Sequence, residues 1–597
     1  MRVPPMCFLC ALCLYVMNSF SQIITLHENL VHLRTTSTPE WSDFTTTPHP
    51  SLTVQFKVPI NSFYHTIQLT QSNVFRDWTV TLNGELLGML QQDDNTLTVY
   101  YEISEGALRL NNILTIQQKD TATDDILVGR MYLIHQPVED HLNEANVNVT
   151  ITDRTTKQPI PSRITIVNTD RSLQQTGVVS DYHLAARPGF VYTSDGQANI
   201  GLPPGKFTLY ASRGFEYGVD SVTVEVTIGD KFDKKLSITR EVNTDGYVAM
   251  DPHVHTFTYS RHGDATARER MITIAGEGIE VPVITDHNVE INLDSVAKAM
   301  KVDQHFTLIT GNEYTTRVGH FNLFPVNPDS TVPSINVGNW KEVKEQLSND
   351  TPRQAIILNH ARDAHYNFTP FSSARHEQAT GKDLEGWPFP ANAMEVINSG
   401  SQQHDIMVLY HDWFGMLNGG HNITPVGSSD SHDVGRFIVG QARTYVKHDG
   451  TDPGRIDTRA VSDSFLAGKA NVSFGLYVEM VNVTKGSIAS GKVSLRAQVR
   501  GPSWITADKV TLFANGKPVR EFNIPRSEGR RAGIKWSNSF TIDKGKEKMY
   551  LVLVAQGPDP KVPWWLIPRP YQRRSVEWVP SVIGSSGAVW VSLNQDF

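Results

Sequence analysis

The sequence predicts a multidomain protein in which a central α/β domain is flanked by all-β sandwich domains. Three observations carry this expectation. Alternating apolar and polar runs separated by turn residues fill about residues 51–238 and return from about Val461 onward. Between them, short apolar strands alternate with helical stretches, the pattern of a βα architecture. At 597 residues the chain is too long for one core, and the usual domain size suggests about three to five domains.

Taken in order, residues 1–21 read as a signal peptide: Arg2, an apolar core from Met6 to Met17, and Ser19 and Ser21 before Gln22. The apolar stretch is too short to span a bilayer, and no later segment is long and apolar enough to cross one. The expected location is therefore secreted or periplasmic. Cys7, Cys10 and Cys13, the three cysteines, all lie inside this segment, so a mature chain has neither disulfides nor thiolate ligands.

Residues 22–50 carry TTSTPEWSDFTTTPHP and read as a flexible Thr/Pro-rich linker. An N-terminal β-sandwich is expected over 51–138 from SLTVQFKV, WTVTLNG and TLTVYYEI. A second, of Ig-like or carboxypeptidase-regulatory-like kind, is expected over 143–240 from VNVTITD, ITIVN, KFTLYAS and SVTVEVTI. Residues 245–455 hold seven strand candidates: VAMDPHVH, VPVITDH, TLITGNE, HFNLFPV, AIILNH, AMEVINS and TPVGSSDSH. A helix opening at Thr266 has the capping-box pair Thr266 and Glu269. A C-terminal β-sandwich is expected over 461–597 from VSLRAQV, KVTLFANGK and MYLVLVA.

The charge balance, 54 Lys plus Arg against 62 Asp plus Glu, leaves a net charge of -8. Mild acidity without a polybasic run argues against a nucleic-acid partner, which requires a basic face.

Fourteen of the 21 histidines fall within residues 251–450. Their placement says more than their number, because nearly every strand candidate ends in a metal-competent side chain. His253 and His255 are two apart and project to one side of an extended strand. Asp430 and His432 repeat that spacing with a carboxylate. Asp286 and His287, Glu313 and His360 end other strands, and His320 opens one. Strand ends of a (β/α) barrel converge on one mouth, so groups far apart in sequence can meet there.

The stretch DPHVHTFTYSRHGDATARERMITIAGEGIEVPVITDHN resembles the opening of the PHP superfamily, the polymerase-and-histidinol-phosphatase metallohydrolases. From Asp251 to about Tyr445 the chain resembles the carbaryl-hydrolase-like branch, whose members often carry similar β modules before that domain. The resemblance implies a distorted seven-stranded (β/α) barrel and nine ligands around two or three divalent metal ions. Position by position these are His253, His255, His262, His287, Glu313, His320, His360, Asp430 and His432. Asp264 is a rival to His262, and Asp286 is expected either to bind metal or to orient a neighbouring imidazole.

An all-nitrogen-and-oxygen donor set suits Zn, Mn or Fe. Metal-bound water, acidified toward neutrality, supplies a hydroxide nucleophile. Glu313 and Asp430 are the expected catalytic carboxylates. Arg362, two residues past His360, and Arg436 and Arg443, just past the DSH motif, are candidates to bind a substrate oxygen. The expected function is hydrolysis of a small-molecule ester-type bond: a carbamate, carboxyl ester or amide. The alternatives are a phosphoesterase of the same fold and a secreted glycan- or surface-binding β-sandwich protein with an auxiliary barrel. No GxSxG elbow is present, so no serine nucleophile is expected.

Overall fold

The computed structural model describes residues 23–347, 354–483, 492–543 and 548–591. The expected signal peptide lies outside the described residues. No helix among them is long and apolar enough to cross a membrane.

Residues 22–50 were expected to be a flexible linker, and here the structure differs. Ile23–Leu33 forms a strand antiparallel to Ile126–Ile134, and Leu33 bridges His49 beyond it. The Thr/Pro-rich composition describes only the excursion between those two points. The sheet that this strand edges faces a four-stranded sheet ordered Ser51–Phe56, Asn112–Gln118, Trp78–Leu82, Glu85–Met89. Leu69, Trp78, Val80 and Val128 fill the space between them.

The two N-terminal β modules share a sheet. Leu173–Gln174 runs parallel to Leu97 and Thr98, which joins the first module's sheet to the second module's strand Ser162–Asn168. The second module docks on the central domain through buried polar contacts. Arg163 Nη1 lies 3.0 Å from Glu277 Oε1, and the Tyr192 hydroxyl donates to the same oxygen at 2.8 Å. Gly276 is required at this joint, since a Cβ there would sit 2.6 Å from the Tyr192 ring.

In the central segment all seven strand candidates form strands. They are β1 (Tyr247–Val254), β2 (Val281–Ile284), β3 (Ile309–Thr310) running into β4 (Asn312–Thr316), β5 (Gly319–Phe324), β6 (Ala355–Leu358), β7 (Ala393–Asn398) and β8 (Thr424–Ser428). Helix α1 (Ala267–Glu277) begins at Thr266 with the expected reciprocal capping box to Glu269. Helix α2 (Val408–Asn418) packs against β7.

The closed seven-stranded (β/α) barrel does not form. The strands divide between two sheets, one ordered β4-β5-β6-β7-β8 and the other containing β3-β2-β1. The reason is strand β9 (Arg443–Lys447), which pairs antiparallel with β1 on the edge that closure would need. It extends that sheet through Ala470–Phe474 into the C-terminal strands. Between the two sheets run single bridges, Val254 to Ser431 and His287 to Glu313, with backbone bonds such as that from the Asp430 amide to the His253 carbonyl. Val248, Met250, Val283, Ile357, Ala393 and Val426 from both sheets share one apolar core, and the histidine-bearing strand ends meet at its rim.

Candidate metal centre

Glu313, at the start of β4, lies at the middle of the cluster. Its Oε1 is 3.4 Å from His253 Nε2, 3.2 Å from His320 Nδ1 and 3.4 Å from His360 Nε2. Its Oε2 is 2.6 Å from His287 Nδ1 and 3.5 Å from His255 Nε2. Asp430 Oδ1 approaches His253 Nε2 at 3.2 Å and His255 Nε2 at 3.3 Å. The His432 ring stacks on His255, with centroids 4.0 Å apart. His262 completes the stack, 4.1 Å from His432, and its Nε2 lies 2.7 Å from His287 Nε2. All nine residues expected as ligands are therefore brought together.

The backbone at two of them departs from extended strand. His360 has φ 26° and Asp430 φ 53°, a region that non-glycine residues rarely occupy and that clusters at functional sites.

Several imidazoles are oriented by a partner on the far nitrogen. His253 Nδ1 donates to Glu395 Oε1 at 2.7 Å. His432 Nδ1 donates to the Asp430 carbonyl at 2.9 Å. His255 Nδ1 donates to Ser260 Oγ at 3.1 Å, and that hydroxyl donates in turn to Asp286 Oδ1 at 2.6 Å. Each of these bonds fixes the tautomer, so the Nε2 lone pair points into the cluster. The Nε2 atoms of His253, His255, His320 and His432 are buried and lack a hydrogen-bond partner.

The electrostatics agree with this arrangement. Burial works against charge on Glu313, yet His287, His253 and His320 outweigh it and hold the carboxyl well below its usual range. Burial likewise opposes charge on Asp430, and His253 and His255 more than offset it. Burial pushes His255 down to about 3 and, with His255 beside it, pushes His432 well down. The centre thus presents ionised carboxylates, with neutral imidazoles at His255 and His432. At three other imidazoles burial is overcome: Asp430 and Glu313 raise His253 well above its usual value, and Glu313 and Asp430 likewise raise His287 and lift His360 to about 9. A bound cation would take the place of those protons.

Four triads have one ligand atom per residue lying within 4.8 Å of one another: His255, His287 and His432; His320, His360 and His365; His253, His255 and Asp430; His253, Glu313 and His360. Buried donors without partners, aimed at common points, fit divalent cations. The set contains no feature that selects zinc, manganese or iron.

Other expected participants lie elsewhere or carry other duties. Arg362 is not brought to the site: it forms a two-pronged ion pair with Asp412 on α2, with Nε to Oδ2 at 2.8 Å and Nη2 to Oδ1 at 2.5 Å. Arg436 reaches the cavity wall but pairs with Asp94 at 3.3 Å and stacks over Phe75 and Phe437. Arg443 is buried against the Gly440 and Glu277 carbonyls, away from the cluster. Asp264 accepts from Arg187 and from the Val434 amide, both at 2.8 Å, which ties the second β module to the site loop; of the two rivals, His262 is the one in contact with His287 and His432. Asp286 orients, through Ser260, rather than facing the cluster.

Glu395 was missed from sequence. Its Oε1 accepts from His253 and from Ser428 Oγ at 2.6 Å, and its Oε2 accepts from the His360 amide at 2.5 Å. The available signal was a lone carboxylate inside the apolar run AMEVIN, which buries only when paired. Asn359, also missed, donates to Glu313 Oε1 at 2.9 Å.

The cluster opens into a cavity of about 1010 Å³. Its opposite wall comes from the β modules, with Phe75, Gln91, Gln92 and Asp93 from the first and Arg187 from the second.

No family model and no curated protein matches the chain. Similar solved structures include the pilus 2b backbone protein of group B streptococcus, at 12% identity over 32% of this chain and 92% of that one, TM-score 0.13. They also include an FMN-binding β-glucuronidase from Facaelibacterium prausnitzii L2-6, at 12% identity over 90% and 96%, TM-score 0.20. A glycosyl hydrolase family 2 member from Bacteroides cellulosilyticus covers 95% and 96% at 8% identity, TM-score 0.18. Likeness at this level does not establish a shared fold. The expected PHP membership, and with it a zinc or manganese metallohydrolase of that family, is corrected: no family model supports it, and the barrel it implied is replaced by two sheets.

Proposed function

We propose that this protein is a hydrolase that uses the Glu313-centred cluster to bind divalent cations and to direct water at an ester-type bond of a small molecule. The observation that carries the reading is the convergence of buried, partnerless histidine nitrogens on two ionised carboxylates. Such donors are costly to bury without a partner, and a cation satisfies them together. A bound cation supplies Lewis acidity, which acidifies water and polarises a carbonyl. Around it, Glu395, Ser260 and the Asp430 carbonyl hold His253, His255 and His432 in fixed tautomers, and the open cavity admits the substrate.

Among the cavity-lining residues, the guanidinium groups of Arg187 and Arg436 are already engaged by Asp264, Glu269 and Asp94. That favours a carbonyl ester, carbamate or amide over a phosphoester, whose charge calls for free cationic side chains. A second reading, a glycan in the same cavity, is favoured by the amide and carboxylate groups of Gln91, Gln92 and Asp93 beside the Phe75 ring.

The test is a parallel activity screen of the full chain with p-nitrophenyl acetate, naphthyl carbamate, p-nitrophenyl phosphate and p-nitrophenyl glycosides, with and without added divalent cations. Cation-dependent turnover of the acetate or carbamate is expected. Turnover of glycosides alone would transfer the assignment to the second reading, and no cation-dependent turnover of any substrate would remove the first.

A further inference from the structure

His365 stands outside the ligand set expected from the sequence, yet its ring faces two members of that set. We propose that His365 is a further donor to a cation held by His320, His360 and Glu313, giving a three-nitrogen, one-oxygen site. The inference rests on the cation-binding reading above.

The His365 centroid lies 4.2 Å from that of His320 and 4.7 Å from that of His360. One ring nitrogen from each of the three can be taken with all lying within 4.8 Å of one another. Nitrogens about 2.0–2.1 Å from a tetrahedral ion sit roughly 3.3–3.4 Å apart, so a small inward movement completes the set. Glu313 Oε1 already stands 3.2 Å from His320 Nδ1 and 3.4 Å from His360 Nε2. The Nε2 of His365, like that of His320, is buried without a hydrogen-bond partner, which sets it apart from an ordinary solvated loop histidine.

The loop that carries His365 is built rather than loose. His365 and Phe368 exchange backbone hydrogen bonds, each 2.9 Å. Tyr366 and Asn367 between them take φ 50° and 64°, as in a tight two-residue turn with both central residues left-handed. Gln572 clamps the preceding peptide from the C-terminal domain: it accepts from the Ala364 amide at 2.8 Å and donates to the Ala364 carbonyl at 2.9 Å. On the other side, the Phe368 ring is stacked on Trp387, and the Arg375 guanidinium lies 4.7 Å above it. The position is therefore held before any ion arrives. Four protein donors leave a four-coordinate ion no open position, so a cation here would fix Glu313 for the neighbouring donor sets.

The experiment loads the full chain with Co²⁺ and follows visible absorption during titration, then measures retained cobalt by elemental analysis after gel filtration. His365→Ala is expected to retain one equivalent less than the natural chain, or to bind one class at least about tenfold more weakly. Loss of an outer partner alone costs roughly 10–100-fold. His365→Asp, which restores a ligating oxygen, is expected to recover that class. Should the alanine variant fail to fold, His365→Asn is measured by the same criteria. Equal stoichiometry and affinity in the natural chain and a folded variant would overturn the role of His365 while leaving the cluster's reading intact. A natural chain that binds no cobalt would remove both.

Discussion

Glu395 and His253 are 142 residues apart in sequence and form a buried 2.7 Å hydrogen bond from imidazole Nδ1 to carboxylate. Glu395 also accepts the His360 amide, so one side chain on β7 positions the ends of β1 and β6. Glu395→Gln keeps the shape but loses the charge that holds the His253 tautomer. Its cation affinity is expected to fall about 10–100-fold, with a stability loss of about 1–3 kcal/mol from imperfectly paired buried groups. Cobalt titration and thermal unfolding read the two effects separately.

Asp93 gives the fold a pH dependence away from the cluster. Burial is the main cause that raises its carboxyl from 3.8 to about 7, against the opposing pull of Arg436. Between those values the folded chain keeps a proton that the unfolded chain has released, so stability falls as pH rises across that window and levels off above it. Asp93→Asn removes this term. The drop in Tm between pH 5 and pH 8 is expected to be smaller in the variant than in the natural chain, and an equal or larger drop would contradict the assignment.

Arg362 separates structural from functional arginine. Its partner Asp412 is fully buried and is also approached by His376 at 3.3 Å. Arg362→Ala strands that carboxylate, and breaking a buried pair costs about 3–5 kcal/mol. Chemical denaturation should show a loss of that order, while retained cation per folded molecule stays unchanged. A variant of natural stability that has lost cation would restore Arg362 to the site.

Thr266→Ala tests the local capping argument. The Thr266 side chain accepts from the Glu269 amide at the start of α1, and loss of such a cap costs about 1 kcal/mol. Unfolding midpoints should shift accordingly, with no change in cation content.

What the sequence made legible was local. Two-residue spacing placed His253 with His255 and Asp430 with His432, and the Thr266–Glu269 pair located a helix start to the residue. The same period-two reasoning failed at Arg362, because the chain turns at His360, where φ is 26°, and the side-chain alternation of a strand no longer applies. Glu395 was hidden because its reason for being buried is an imidazole on another strand. The closed barrel was overestimated for a related reason. Nothing in the local pattern of residues 443–447 distinguishes a strand that closes a barrel from one that carries β1's sheet into the C-terminal domain. His365 was unassigned because it sits on a turn rather than at a strand end, the position from which the other candidates were read.

Cation binding at the Glu313 cluster, and hydrolysis that depends on it, can be measured together. The most direct measurement is elemental analysis of the purified full chain beside Glu313→Gln, each assayed on the same carbonyl-ester substrate. Two or three equivalents of divalent metal and measurable turnover are expected in the natural chain, with fewer equivalents and no turnover in the variant. A natural chain that carries no metal, takes up none when it is supplied, and hydrolyses the ester as fast as Glu313→Gln does would contradict cation-dependent hydrolysis.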